Sequence, residues 1–146
     1  MGISVLILGD SGTGKTTSLR NFQPGEVAII DAARKPLPFR SSLKPYNTND
    51  YSAVVKAVFG YVRKGAKSIV LDDIQYLMTD EFMRRSQEIG YGKFTDMAAN
   101  YNGLFDLAPQ LPEDVILYLM SHVEAATKRR GPSGNLSTKS FASRAK

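Results

Sequence analysis

One stretch constrains this chain more than any other: Gly9, Asp10, Ser11, Gly12, Thr13, Gly14, Lys15, Thr16. It follows the pattern G-x-x-x-x-G-K-[ST]. An apolar run at residues 3–8 precedes it, and a helical pattern from about residue 14 to 21 follows. Glycines let the backbone curl until successive N–H groups point into one concavity, and a helix starting there adds the positive end of its dipole. Such a concavity holds phosphate. Lys15 is placed to reach the β- and γ-phosphates of a nucleotide, Thr16 to set its hydroxyl on Mg²⁺, and Thr17 to touch the α-phosphate. A chance match in a chain of this length is on the order of one in a few hundred. Residues 9–17 are therefore candidate phosphate ligands.

A loop of this kind projects from a strand, and the rest of the chain supplies a sheet. Short apolar runs at residues 27–30, 68–71 and 115–120 read as further strands, buried on both faces of a parallel sheet like the run at 3–8. Between them lie helical patterns. Val54, Val55, Val58, Phe59 and Val62 make one apolar face; Ile74, Leu77, Met78 and Phe82 make a second; a third runs from Phe94 to Ala108. Gln23, Pro24 and Gly25 form a turn, and residues 32–50, with three prolines and two asparagines, read as loop. This alternation predicts an α/β fold: three αβα layers, with helices on both faces of a mainly parallel sheet. Ligands bind such sheets at the carboxyl ends of the strands. The glycine loop, Asp31, Asp72 and Ser121 all fall at such ends.

The acidic residues refine the chemistry. Asp72 closes an apolar strand 57 residues beyond Lys15, with a helical crossover between, the arrangement that holds Mg²⁺ beside a triphosphate. Asp73 has two readings, polarising the attacking water or capping the helix that follows, and the immediate helix favours the cap. Ser121 and His122 sit where a polar residue senses the γ-phosphate in ATPases with an extra strand between the glycine-loop strand and the Asp72 strand. Glu124 can orient water or pair with the basic tail, and Asp31 can face the same rim or simply start a turn. No Asn-Lys-x-Asp motif is present, which selects ATP over GTP. Arg84 and Arg85 read as a solvated helix face.

Charge separates the chain into two parts. All 14 acidic residues lie at or before Glu124, with 13 of the 19 Lys and Arg, so residues 1–124 carry a net −1 and residues 125–146 carry +6. The first part is one domain by length and the second a basic, flexible tail or nucleic-acid-contacting loop. Lys128, Arg129 and Arg130 are candidates for phosphate contacts to DNA, or for acting in trans on a neighbour's ATP. Cysteine is absent, which excludes disulfides and thiolate metal sites and fits a cytoplasmic setting. No segment approaches the ~20 apolar residues of a membrane helix, and the start lacks the basic region of a secretory leader.

From residue 4 to residue 124 the chain resembles the small phage-encoded RecA-like ATPases grouped in the AAA family. The similar segments are residues 6–20, 35–40, 69–78, 81–85 and 121–122; Lys35 to Phe39 and Asp72 to Met78 are more specific than the widely shared glycine loop. The resemblance implies an ATP- and Mg²⁺-dependent ATPase of phage DNA recombination or replication in the host cytoplasm. Single-stranded DNA, a single-strand-binding protein and further copies of itself are the implied partners. Two departures stand out. Ala33 occupies the place of the catalytic glutamate of RecA-type recombinases, which implies either slow hydrolysis or the use of another acid, Asp73 or Glu124. The family also continues with further strands after the sensor position, whereas this chain turns polar and basic; the core is read as shortened at its C-terminal end or completed by a neighbour. Two other readings remain at this point, a P-loop small-molecule kinase and a nucleotide-binding interaction module with negligible turnover. Strand order discriminates the first: a strand between those of Gly9 and Asp72 favours the ATPase, and direct adjacency favours the kinase.

Overall fold

A computed structural model describes residues 1–123 and the backbone of two short strands beyond them. In chain order the elements are β1 (Ile3–Gly9), a 3-10 helix (Thr16–Asn21), β2 (Val27–Asp31), β3 (Tyr46–Asn47), α1 (Tyr51–Arg63), β4 (Ser68–Asp72), α2 (Gln75–Arg84), α3 (Gly92–Phe105), a 3-10 turn (Ala108–Gln110), β5 (Ile116–His122), β6 (Arg129–Arg130) and β7 (Leu136–Ser137). Consecutive apolar residues leave β2 and β4 no polar face, and both become central strands whose residues are buried almost throughout. The result is a mixed α/β domain around a five-stranded parallel sheet in the order β1-β5-β4-β2-β3.

Alternation along the strands divides the core. Ala28, Ile30, Ile69, Leu71, Leu117 and Leu119 face Val54 and Val58 of α1, Leu77 of α2 and Leu104 of α3. Val27, Ile29, Val70 and Met120 face the other way, onto Leu19 of the 3-10 helix and onto Leu43, Leu37 and Phe39. Each fully buried Leu or Ile contributes about 1.5–3 kcal/mol by leaving water. Helices were expected on both faces. Among the described residues, α1, α2 and α3 all pack on one, and the 3-10 helix with the loop after β2 covers the other. The helix after the glycine loop stays this short because only Leu19 is buried along it and Pro24 and Gly25 follow at once.

Local chemistry sets the element ends. Asp50 caps α1 by accepting the Ser52 N–H at 3.2 Å, and Gly65 ends it at φ 91° while donating to the Val62 carbonyl. The third helical pattern breaks at Asp106, and Pro109 sits in the first turn of a separate 3-10 turn starting at Ala108 instead of merely following a continuous helix. The stretch read as loop at residues 32–50 contains the two-residue strand β3, which pairs with β2.

β1 departs most from expectation. It was read as buried on both faces, yet it lies at the sheet edge with Ile3, Leu6 and Leu8 roughly half exposed. Its composition is that of a central strand, but β5 pairs with only one of its sides. Beyond Val123, β6 and β7 form an antiparallel pair within a stretch expected to be loop. Glu124 and Lys128 lie outside the described residues, and Arg129 and Arg130 are described only as β6 backbone. Among the described residues no helix is long and apolar enough to cross a membrane.

Candidate functional site

Register brings the strand ends to one rim. Gly9 lies beside His122 across β1 and β5, and Asp31 beside Asp72 across β2 and β4. Backbone bonds tie the loops above this rim. The Val123 N–H donates to the Gly9 carbonyl at 3.3 Å, Ile74 N–H to Met120 at 3.0 Å, and Ala32 N–H to Asp72 at 3.1 Å. A cleft of about 240 Å³ opens there. The glycine loop and the first turn of the 3-10 helix (Ser11, Gly12, Gly14, Lys15, Thr16, Thr17) form one wall, Lys35 to Pro38 another, and Asp31, Asp72, Asp73 and His122 also line it. A wider and shallower depression on the outer side of α1, between Tyr46 and Lys64, shares none of these residues.

The glycine loop has the backbone its sequence requires. Gly12 and Gly14 stand at φ 79° and 90°, where a side chain would be strained, and the space that a Cβ would enter at either is open. Thr13 braces the turn from outside, its hydroxyl donating to the Asp10 carbonyl at 2.8 Å. Gly9, Asp10 and Thr13 do not line the cleft itself. The Lys15 ammonium folds back over the loop, donating to the carbonyls of Gly9 at 2.7 Å and Asp10 at 2.8 Å.

Thr16 and Asp72 meet. The threonine hydroxyl donates to Asp72 Oδ2 at 2.7 Å, while Asp72 Oδ1 is buried with no hydrogen-bond partner. A buried oxygen without a donor costs about 1–3 kcal/mol unless something else satisfies it. Asp31, Asp72 and Asp73 each offer a carboxylate oxygen within 4.8 Å of the others. Burial pushes Asp72 above the usual carboxylate range, the Thr16 hydroxyl opposes this, and the Asp73 and Asp31 charges add to it. Burial likewise raises Asp31, against two N–H bonds, from Lys35 and Ala33, each 2.8 Å long. Asp31 thus both faces the rim and starts the turn. A cation fits this set: hard oxygens, excess negative charge, and a buried lone pair without a partner.

Asp73 does not cap α2, whose N-terminus has no side-chain cap. The residue adopts φ 55°, and this left-handed turn aims its carboxylate at His122, with Oδ1 2.9 Å from Nε2. The other ring nitrogen, Nδ1, is 3.5 Å from the Lys15 ammonium. The imidazole thus bridges the Asp73 carboxylate on one side and the Lys15 ammonium on the other. Ser121 is buried beneath and does not line the cleft. Its hydroxyl and the His122 N–H both donate to Gln75 Oε1, at 3.2 and 3.3 Å, and Gln75 Nε2 approaches Asp73 Oδ1 at 3.4 Å.

Gln75 was not singled out from sequence. Its signals were its place three residues after Asp72, at the start of a helix, and its position inside the resembling run Asp72 to Met78. Lys35 belongs to the resembling segment 35–40 but carries no chemical signal of its own, and its position over the cleft depends on the turn at Arg34, φ 57°. Arg34 and Asp73 are the non-glycine residues with positive φ among the described residues, and both flank the cleft. Strain of this sort gathers at functional sites. Arg85 is committed elsewhere, to Glu81, Glu88 and Asp96 at 2.9–3.3 Å. No protein-family model and no curated protein matches the chain.

Proposed function

We propose that this chain binds ATP with Mg²⁺ in the cleft at the strand ends and hydrolyses it, as a RecA-like P-loop ATPase. The observation that carries the reading is the 2.7 Å bond between Thr16 and Asp72 beside the glycine loop. Sequence chemistry marks both residues for the same ion, and they come together with a buried Asp72 oxygen left over. Thr16 and Asp72 would hold Mg²⁺, which when bound supplies charge neutralisation at the phosphate oxygens. The glycine-loop amides and Lys15 would bind and orient the triphosphate. Asp73 and His122 are the polar groups best placed to orient a water, since each already holds the other in position. Ser121 acts through Gln75, which fixes the end of β5. Asp31 adds negative charge on the far side of Asp72.

β5 lies between β1 and β4. That order supports the ATPase over the small-molecule kinase, in which the strands of Gly9 and Asp72 would be neighbours. By the same resemblance, the nucleotide state would control binding to single-stranded DNA or self-assembly, in phage recombination or replication with a single-strand-binding protein as partner. The basic segment holding Lys128, Arg129 and Arg130 would supply phosphate contacts, so affinity for DNA should fall steeply with salt.

The test is phosphate release at low salt, with and without single-stranded DNA, from wild type and Lys15→Ala. Release from wild type alone supports the proposal. ATP bound with Mg²⁺ but never cleaved, with or without DNA, selects the interaction module instead. Unchanged ATP affinity in Lys15→Ala contradicts the site altogether.

A further inference from the structure

Resting on that reading, we propose that Lys35 recognises the terminal phosphate and makes the site prefer nucleoside triphosphates to diphosphates. Three features of the loop after β2 lead to it. The first is placement. Arg34 turns the backbone through φ 57°, and the Asp31 carboxylate accepts the N–H groups of both Ala33 and Lys35 at 2.8 Å. This folds residue 35 back over the strand end, where it lines the same cleft as Lys15 and Asp72. A left-handed arginine is an unfavourable way to make a turn, and the carboxylate holding the next residues keeps it in place.

The second feature is what the ammonium touches. It rests on a phenol, 3.3 Å from the Tyr76 hydroxyl and 5.0 Å from the centre of that ring. Among the described residues it makes no ion pair, although the Asp31 and Asp73 charges reach it. As an exposed lysine it is cationic at neutral pH. Arg34, its neighbour, is directed to Asp80 at 3.7 Å. A lysine on four rotatable bonds, held by a weak and partly exposed contact, can be transferred to a stronger acceptor at small cost.

The third feature is order along the sheet. The glycine loop follows β1, and β5 and β4 separate β1 from β2. A phosphate chain seated on that loop meets Lys15 and the Thr16–Asp72 pair first. Lys35, on the β2 side, can be reached only by the end that extends furthest. That end also needs a cation most, because the Asp31, Asp72 and Asp73 carboxylates cluster on that side of the cleft and the terminal phosphate carries the additional charge of a triphosphate.

Affinities for ATP and ADP, each with Mg²⁺, would be measured by calorimetry for the full chain and four variants. Lys35→Ala should weaken ATP by about ten- to a hundredfold, the usual worth of a hydrogen bond to a charged group, and leave ADP unchanged. Lys35→Arg should keep the preference for ATP. Tyr76→Phe removes the resting partner without removing the cation, so it should not weaken ATP. Lys15→Ala should lose both nucleotides. Equal weakening of ATP and ADP by Lys35→Ala, or none, overturns the assignment while wild type still binds both. The same holds if Tyr76→Phe reproduces the Lys35→Ala loss, which would reduce Lys35 to a tether for its loop. A wild-type chain that takes neither nucleotide overturns the underlying site reading and this assignment with it.

Discussion

Replacing Asp72 with asparagine should stabilise the metal-free chain and remove its response to Mg²⁺. The magnitude follows from the three carboxylates with oxygens within 4.8 Å of one another. Two like charges at that spacing repel by about 3.5 kcal/mol at an effective dielectric of ~20. Asp72 has two such neighbours and is 4% exposed, so full ionisation would set about 7 kcal/mol against folding. The same burial, with the neighbouring charges added, holds Asp72 above its ordinary range. The Thr16 hydrogen bond and local relaxation offset much of the repulsion, so the net cost is on the order of 1–3 kcal/mol. Asparagine keeps an acceptor for Thr16 and brings an N–H donor for a neighbouring carboxylate. Its gain should be about 3–10 °C in Tm for a chain of this size.

The pH dependence has a definite sign. A carboxyl whose folded pKa is raised contributes stability below its unfolded value, 3.8 for Asp72, and that contribution is lost as pH rises through the folded value. The metal-free wild type should therefore weaken as pH climbs above about 4, and Asp72→Asn should weaken less. Urea unfolding followed by circular dichroism, in EDTA across this range and again in millimolar Mg²⁺, reads both effects. Mg²⁺ should stabilise the wild type by mass action and leave the variant unmoved. A variant less stable than wild type in EDTA, with both gaining equally from Mg²⁺, would refute the reasoning.

Other expectations concern single contacts. Lys15→Ala should lose ATP binding while its unfolding free energy stays within about 0.5 kcal/mol of wild type, because the ammonium bonds to two loop carbonyls and makes one long contact to His122 Nδ1; calorimetry and urea melts together check this. Leu19→Ala should cost about 2–5 kcal/mol in urea unfolding, since Leu19 is the buried anchor of the 3-10 helix, and it should weaken nucleotide binding with it. Arg85→Met should lower the unfolding free energy by stripping the buried Glu81 of its charge partner, and adding Glu81→Gln should recover part of that loss in the same urea melts. Arg34→Gly should raise the unfolding free energy by up to about 1 kcal/mol at φ 57°; a loss would mean that the turn is not strained.

Local patterns made much of the fold readable in advance. Residues 27–30 and 68–71 had no polar face and became central strands; Val54 and Val58, one helical turn apart, became the inner face of α1. The glycine loop and Asp72 were legible because their chemistry demands particular residue types at particular places: φ near 80–90° at Gly12 and Gly14, and a carboxylate at the end of an apolar strand. Such features depend on a few consecutive residues and on elementary sterics. β1 misled for the same reason, since its composition reports hydrophobicity and not how many neighbours a strand will have.

Contacts between segments far apart in the chain could not be read this way. Whether β5 entered between β1 and β4 depended on the packing of the whole sheet. That one outcome set His122 beside Gly9, within reach of Lys15 and Asp73, and put Gln75 under the end of β5. The turn that carries Lys35 over the cleft was equally hidden, because the Asp31 carboxylate must fold back onto two later N–H groups before Arg34 will adopt a left-handed conformation. Residue type is a local property and can name the participants; side-chain direction across strands depends on pairing, register and the burial that makes pairing worthwhile.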